Sequence, residues 1–270
     1  MKFKALIRNF CPPILFEFLQ SLRAQRRLSF SGDYSSWVEA QAETSGYDTD
    51  IIFNRVYESA LKVKLGEAVF ERDSVCFYKE EFRWEVLACL LFIASKKGGS
   101  LNVLDFGGAL GSFYFQHKKF LQRLKSHSWS VIEQHKIVEC GKREFQNEHL
   151  KFYYDLNDFF AEKKVDVILL SSVLHYLEKP EDILIQLSEI DADYIIVDRT
   201  PFIQNSNDRL TVQTVPESIY KASYPAWIFS EERFNRLINQ IGFQKLSEFK
   251  CDDDLGIGQY KGFIFERILS

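Results

Sequence analysis

The stretch VLDFGGALGS, residues 103–112, decides the fold class that this sequence predicts. It places Gly107, Gly108 and Gly111 within five residues, directly after an apolar run that contains Asp105. A buried strand accounts for the apolar run but requires no glycine. Glycine clusters of this kind mark a tight backbone turn or a place where a ligand approaches the main chain. The stretch therefore predicts a strand, a sharp turn and the start of a helix.

Outward from this stretch, strand-like and helix-like segments alternate. The predicted strands are Leu101–Phe106, Trp129–Glu133, Leu150–Tyr154, Val165–Ser171 and Tyr194–Asp198, with helical patterns between them. This order predicts an α/β fold with a doubly wound, mostly parallel, Rossmann-like sheet. A helix over Ser230–Ile241 and two last strands, Phe243–Phe249 and Gly262–Arg267, predict a closing antiparallel hairpin. We expect residues 1–98 to form a helical extension or lid and residues 99–270 to form the main domain.

The first turn of such a sheet lies at the switch point where ligands bind. Dinucleotides and S-adenosylmethionine are both held at such a turn, next to the unpaired N–H groups of a helix start. The dinucleotide pattern G-x-G-x-x-G fails because Ala109 stands two residues after Gly107. Asp105 fits the D-x-G-x-G-x-G pattern of methyltransferases, again with Ala109 in place of the middle glycine. A structural turn without a ligand is the alternative.

The next two strands end in acidic residues. Glu133, followed by Gln134, stands at the tip of the second strand, where a carboxylate can accept both ribose hydroxyls of a nucleoside. Asp155 follows the third strand and is placed to accept an adenine amino group, with Leu156 covering the ring. A solvated strand end at Glu133 and a helix cap at Asp155 are the alternatives. Two acidic tips in succession favour a nucleoside site.

The fourth strand leads into DVILLSSVLHYLEKPEDIL, residues 166–184. With Leu174, His175, Leu177 and Pro180, this segment resembles the class I S-adenosylmethionine-dependent methyltransferases. The resemblance covers about residues 100–200 and implies S-adenosylmethionine as the cofactor. The contacts it implies are with the strand tips and the turn: Asp105, Gly107, Gly108, Gly111, Glu133, Gln134, Asp155, Leu156, Ser171 and Ser172.

A narrower resemblance covers most of the chain. The segments LDFGGALGS, VIEQ, SSVLHYL, VDRTPF and YPAWIFS, together with SGYD and ERDSV, are similar to a family of methyltransferases encoded in bacterial surface-polysaccharide (O-antigen or capsule) loci. This resemblance implies methyl transfer, with a sugar or another small hydroxyl compound as the acceptor. A non-catalytic module of polysaccharide assembly is an alternative. A nicotinamide-dependent oxidoreductase is disfavoured by the broken glycine pattern.

The candidate residues for the acceptor side follow the fourth and fifth strands. The unperturbed histidine pKa of about 6.5 suits His175 as a base at neutral pH; packing against the cofactor and capping of the following turn are the alternatives. Asp198 and Arg199 end the fifth strand, where Arg199 can hold an anionic group or pair with Asp198 or Glu217. Tyr224 lies in a proline-marked, non-helical segment and offers a ring face to a sugar, or belongs to an aromatic core.

Composition limits the partners. The formal net charge of −4 disfavours nucleic-acid binding, and five scattered cysteines indicate a reduced, cytoplasmic protein without a metal site. Residues 1–30 hold six basic residues and one acidic residue among apolar ones. We expect that segment either to pack on the main domain or to contact an anionic membrane surface.

Overall fold

A computed structural model describes residues 29–44, 49–160, 164–215, 222–254 and 258–268. Among the described residues, six elements precede the central sheet: strand β1 (Ser29–Ser31), helices α1 (Trp37–Ala42) and α2 (Thr49–Lys64), strands β2 (Phe70–Arg72) and β3 (Val75–Phe77), and helix α3 (Trp84–Lys96). Strands β2 and β3 form an antiparallel hairpin, here called the β2–β3 hairpin, residues 70–77. Of the basic segment 1–30, the structure describes only the last two residues, so its predicted surface contact lies outside the described residues.

The glycine-rich stretch connects the first strand and helix of the main domain, β4 (Ser100–Phe106) and α4 (Ser112–Leu121). The elements that follow are β5 (Ser126–Ile132), α5 (His135–Cys140), a π-helical turn (Gly141–Phe145), β6 (Leu150–Tyr153), α6 (Leu156–Phe160), β7 (Val167–Ser171), a 3₁₀ turn (Leu174–Tyr176), α7 (Pro180–Ser188) and β8 (Tyr194–Ile203). The chain then forms β9 (Arg209–Val215), β10 (Ala222–Ser230), α8 (Glu231–Gln240), β11 (Phe243–Asp254) and β12 (Gln259–Arg267).

The central sheet has the strand order β6-β5-β4-β7-β8-β12-β11. The first five strands in this order are parallel, and β12 runs antiparallel to both of its neighbours, β8 and β11. The predicted doubly wound, mostly parallel Rossmann-like fold and its closing antiparallel hairpin are both confirmed. Because parallel strands end at one edge, the tips of β4 to β8 meet there; we call it the carboxyl edge.

Two apolar layers cover the sheet, one on each face. On the first face, α3 and α4 pack on the sheet through residues such as Leu90, Tyr114 and Trp129. On the other face, Leu184 of α7 and Phe234 of α8 pack against the strands. This double coverage explains why the parallel strands read as apolar runs. Helix α3, which precedes residue 99, is therefore part of the first layer. The division of residues 1–98 from the main domain stays a prediction.

The segment after the fifth strand differs from the sequence-based expectation. It forms strands β9 and β10, and β8 continues through Pro201 to Ile203. Strand β9 pairs with β10 and β1, and β10 meets β8 only at Phe229 and Ser230. Pro225 therefore lies where β10 lacks a strand neighbour on its second side, a position that tolerates proline. Among the described helices, none has an apolar stretch long enough to cross a bilayer.

Candidate functional site

Strained backbone marks the carboxyl edge. In the described part of the chain, five residues other than glycine have a positive φ: Asp73, Ser74, Ala109, Ser172 and Arg199. Ala109 follows β4 and Ser172 follows β7. Arg199 lies within β8, next to Asp198, which pairs with Ser171 at the end of β7. Asp73 and Ser74 form the turn of the β2–β3 hairpin, which reaches the same edge. Such conformations cost free energy and cluster at functional sites, so this edge is the candidate site.

The glycine turn is packed against the protein itself. Gly107 has φ +78°, and a Cβ there would lie 2.5 Å from Cγ2 of Val173. A Cβ on Gly108 would lie 2.4 Å from Oδ2 of Asp105. Glycine is therefore required at both positions by packing, whether or not a ligand binds. Ala109, at φ 48°, adopts the left-handed conformation although it carries a side chain.

Asp105 lies beneath this turn. Its side chain is 2% exposed, and the indole Nε1 of Trp129 donates to its Oδ2 at 2.9 Å. Burial raises the pKa of Asp105 to about 7; the Trp129 hydrogen bond opposes this shift and the charge of Glu133 adds to it. The structure thus gives Asp105 a role in supporting the turn, and direct contact with a cofactor stays a prediction.

Glu133 stands at the tip of β5 beside the turn. Its carboxylate accepts the backbone N–H of Gln134 at 2.7 Å and the backbone N–H of Ala109. Surrounding protein raises its pKa, and the two N–H donors oppose that rise. The side chain keeps partial exposure, and Gln134 beside it is exposed. A carboxylate oriented by the turn and still open on one side can receive further donors.

The helix that follows the turn begins without a side-chain cap. Gly111, φ +87°, is the N-cap of α4 and has no side chain to satisfy the first N–H groups. Free N–H groups at the start of a ten-residue helix attract a negatively charged group. The carboxyl edge has a first half, at the ends of β4, β5 and β6, and a second half around β7 and β8. In the first half, Glu133 offers acceptors and the start of α4 offers donors.

Asp155 and Leu156 follow the third strand, β6. Asp155 is exposed and accepts the N–H of Asp158 at 2.8 Å, which makes it the cap of α6. Leu156 is 8% exposed and packs with the second apolar layer. The helix cap that the sequence suggested is present, and the contact of these two residues with an adenine ring stays a prediction.

Asp198, on the other half of the edge, is completely buried. Arg83, which precedes α3, donates from Nη2 to its Oδ1 at 2.5 Å, and Ser171 donates to its Oδ2 at 3.0 Å. The backbone N–H of Ser172 donates to the Asp198 carbonyl at 2.9 Å. This network connects the end of β7 and the adjacent part of β8 to the start of α3. Asp198 and Ser171 thus stabilise the edge, and their contact with substrate or cofactor stays a prediction.

Arg199 binds a partner that the sequence did not indicate. Its guanidinium donates to Asp73 of the β2–β3 hairpin, whereas Asp198, one of the expected partners, binds Arg83. The other expected partner, Glu217, lies outside the described residues. The Arg199 side chain is 16% exposed and Asp73 is 59% exposed. This ion pair holds the hairpin against the middle of β8, at the level where β7 ends.

Glu71, in the same hairpin, is a buried acid at the start of α4. Ser112 donates its hydroxyl to Glu71 Oε1, and the N–H of Ser74 donates to Oε2 at 3.2 Å. Burial raises the Glu71 pKa to about 7; the Ser112 hydrogen bond opposes the rise and the charge of Asp73 adds to it. The hairpin thus closes on both halves of the edge.

His175 follows β7 and is completely buried. Burial, reinforced by the charge of Arg199 and opposed by Asp73, lowers its pKa to about 3. The assumption of an ordinary histidine pKa was wrong, and the ring is neutral at pH 7. Its ring lies 3.9 Å from that of Tyr176, whose ring meets Tyr224 edge-on at 5.1 Å. His175, Arg199 and Tyr224 therefore come together around Tyr176 and the hairpin.

Three residues of this edge were not assigned from the sequence: Glu71, Asp73 and Arg83. Glu71 and Asp73 lie within ERDSV, a segment that signalled resemblance but gave no role. Arg83 gave no signal, because its partner is 115 residues away in the chain.

Neither a protein-family model nor a curated protein matches the sequence. Among solved structures, the chain is similar to an amino pentose methyltransferase of calicheamicin biosynthesis from Micromonospora echinaspora, solved with S-adenosylmethionine (TM-score 0.49, 11% identity, 78% of this chain and 96% of that one). It is also similar to the 1,6-didemethyltoxoflavin-N1-methyltransferase of Burkholderia thailandensis (TM-score 0.47, 13% identity, 88% and 93%). The fold assignment above rests on the strand order and directions of this chain itself.

Proposed function

We propose that this chain is an S-adenosylmethionine-dependent methyltransferase acting on a hydroxyl acceptor. The observation that carries the proposal is the arrangement around Glu133: an open carboxylate bonded to the glycine turn, beside the uncapped start of α4. The reversed strand β12 between β8 and β11 separates this sheet from the order of the dinucleotide-binding fold, which has no such strand. A nicotinamide cofactor is accordingly the weaker candidate.

The residues present fit the proposed cofactor. Glu133 would accept the ribose hydroxyls, because its carboxylate is held in place by the N–H groups of Gln134 and Ala109. The N–H groups at the start of α4 would hold the carboxylate of the methionine portion. Asp155 and Leu156, next along the edge, would contact the adenine.

The second half of the edge would hold the acceptor. When bound, the cofactor supplies a methyl group on a positively charged sulfur, open to in-line attack. The protein must then align an acceptor hydroxyl and hold it close to that methyl group. His175 is neutral, so one ring nitrogen can accept a hydrogen bond from the acceptor hydroxyl and orient it toward the methyl group. Arg199 and Asp73 neutralise each other beside it, which suits an uncharged acceptor.

Calorimetry with S-adenosylhomocysteine and with NAD⁺ tests the cofactor assignment. We expect S-adenosylhomocysteine to bind with a stoichiometry of one per chain and NAD⁺ to give no heat of binding. Binding of NAD⁺ without binding of S-adenosylhomocysteine would contradict the methyltransferase assignment and favour an oxidoreductase. Binding of S-adenosylhomocysteine without methyl transfer to any acceptor would favour the non-catalytic module.

The biological role is a second, finer proposal: methylation of a sugar during bacterial surface-polysaccharide synthesis, in the cytoplasm or at the inner face of its membrane. It is supported by the resemblance of the segments around residues 103–112, 171–177 and 224–230 to proteins of such loci, and by residues 1–30 with their basic and apolar composition. Deleting the gene should remove an O-methyl group from the surface glycan. An unchanged glycan composition would contradict this role.

A further inference from the structure

Two buried side chains on the second half of the carboxyl edge hold polar atoms without partners. Gln213 of β9 is 1% exposed and His175 is completely buried. Within the described residues, neither Nε2 of Gln213 nor either ring nitrogen of His175 has a hydrogen-bond partner. A buried polar group left unpaired costs about 1–3 kcal/mol, and most such groups in folded proteins are paired. Two of them beside one tyrosine make this a place where a ligand can supply the missing hydrogen-bond partners.

Tyr176 fixes the orientation of the Gln213 amide. The Tyr176 hydroxyl donates to Oε1 of Gln213 at 3.1 Å, and the Tyr224 hydroxyl is in hydrogen-bond contact with Tyr176. Gln213 and Tyr224 stand directly opposite each other on β9 and β10, so both side chains lie on one face of this strand pair. The amide oxygen is thereby occupied, and the NH₂ group keeps two hydrogens to donate.

His175 completes the pair of unpartnered groups. Its ring packs on Tyr176, and Tyr260 lies 6.2 Å away between ring centroids. Because burial keeps the ring neutral, one nitrogen donates and the other accepts. The charged groups that face it, Arg199 and Asp73, pair with each other. Both unpartnered side chains are therefore uncharged: Gln213 offers two donors, and His175 offers one donor and one acceptor.

We infer that Gln213 and His175 form a subsite for two hydroxyl groups of a neutral sugar ring, with Tyr176 between them. Hydroxyls match this set because each of them both donates and accepts, so one can accept from the Gln213 NH₂ group and another can pair with either ring nitrogen of His175. The rings of Tyr176, Tyr224 and Tyr260 add the apolar wall that the face of a sugar ring prefers. This subsite rests on the proposed methyl transfer and names the class of its acceptor.

Transfer of labelled methyl groups from S-adenosylmethionine to a set of acceptors tests the subsite. The set contains the methyl α-pyranosides of glucose, galactose and mannose, and, as other classes, catechol, benzylamine and benzoate. We expect at least one pyranoside to be methylated. Gln213→Met, which keeps the length of the side chain, should lower kcat/KM for that pyranoside about tenfold, the effect of one lost hydrogen bond. Its affinity for S-adenosylhomocysteine should not change.

A matched control comes from α8. Asn235 also has an unpartnered buried amide atom, Oδ1, within the described residues, but it lies on a helix away from Tyr176. Asn235→Leu should leave kcat/KM unchanged. If Gln213→Met does not fold, Gln213→Asn withdraws the amide by one methylene and should cause the same loss.

The outcomes separate the two proposals. A protein that fails to bind S-adenosylhomocysteine overturns the methyltransferase and the subsite together. A protein that binds it and methylates only catechol, benzylamine or benzoate overturns the subsite and leaves the methyltransferase in place. A protein that binds it and methylates none of the set overturns the subsite and favours the non-catalytic module. Undiminished kcat/KM in a folded Gln213→Met variant also overturns it.

Discussion

The two halves of the carboxyl edge are built in different ways. Around β4, β5 and β6, the contacts are short in sequence: Trp129 binds Asp105 across 24 positions, and Glu133 binds the N–H of its neighbour Gln134. Around β7 and β8, Arg83 binds Asp198 across 115 positions and Arg199 binds Asp73 across 126. The first half is a local supersecondary unit, and it is the half to which we assign the cofactor. The second half is assembled from distant segments, which is where an individual acceptor would be selected.

The largest effect on the reaction is expected at His175, on the second half. His175→Ala should lower kcat for the methylated pyranoside about 10²-fold, because the group that orients the acceptor hydroxyl is lost. Since its pKa is about 3, the ring stays neutral from pH 5 to pH 8, so the loss should be the same across that range. Steady-state rates at several pH values measure this. His149→Ala, on the opposite edge of the sheet, is the control; equal rates in both variants would remove His175 from the reaction.

The two ion pairs of the second half should differ in their contribution to stability. Asp198→Ala leaves the guanidinium of Arg83, 13% exposed, without its carboxylate and should lower the free energy of unfolding by about 3–5 kcal/mol. Asp73→Ala breaks the pair with Arg199, but Asp73 is largely exposed, so the loss should be at most about 1 kcal/mol. Urea unfolding monitored by circular dichroism compares the two. Equal losses would show that burial does not distinguish them.

On the first half, Asp105 should make stability depend on pH. Its pKa is about 7 in the folded protein and near 3.8 when unfolded, so the folded state binds the proton more tightly. Its contribution is present at pH 4 and is lost as the pH rises through 7. Residue 105 cannot titrate in the Asp105→Asn variant. Between pH 5 and pH 8, the wild type should therefore lose on the order of 2 kcal/mol more of its free energy of unfolding than this variant does. If the free energy of unfolding changes with pH in the same way in both proteins, the pKa of Asp105 lies near its ordinary value.

The smallest effect is expected at Ala109 in the glycine turn. Ala109→Gly removes the strain of a left-handed alanine but adds freedom to the unfolded chain, so the protein should gain about 0.5–1 kcal/mol. Ala88→Gly, in the exposed middle of α3, should cost about 1 kcal/mol. Urea unfolding of both variants shows whether each substitution raises or lowers the free energy of unfolding. A loss at Ala109 would mean that its side chain stabilises the turn.

The sequence predicted the first half of the edge well because its elements are contiguous. Apolar runs, the three glycines and the acidic strand ends all lie between residues 101 and 156, and each signal is local. The mostly parallel sheet followed from the alternation of elements, and the closing hairpin from the last two strand-like segments. What the patterns could not give is burial: Asp105 and Glu133 look alike in sequence, but the structure places one beneath the turn and the other at its open side.

The second half could be predicted only in part. His175, Arg199 and Tyr224 were identified and are brought together, but the β2–β3 hairpin that joins them is remote in sequence. Strands β9 and β10 were missed because Pro225 and the polar residues around them hid the strand pattern. Gln213 was missed for the same reason, since a glutamine becomes informative only once its burial and its neighbours are known.

The most direct test of the cofactor site is titration calorimetry of S-adenosylhomocysteine with Glu133→Ala. The variant removes the carboxylate oriented by Ala109 and Gln134, so binding should weaken by about 2–3 kcal/mol, the loss of a charge-assisted pair of hydrogen bonds. Glu148→Ala, which removes an exposed carboxylate before β6, is the control and should bind as the wild type does. Unchanged affinity in a folded Glu133→Ala variant would contradict the assignment of this edge to S-adenosylmethionine.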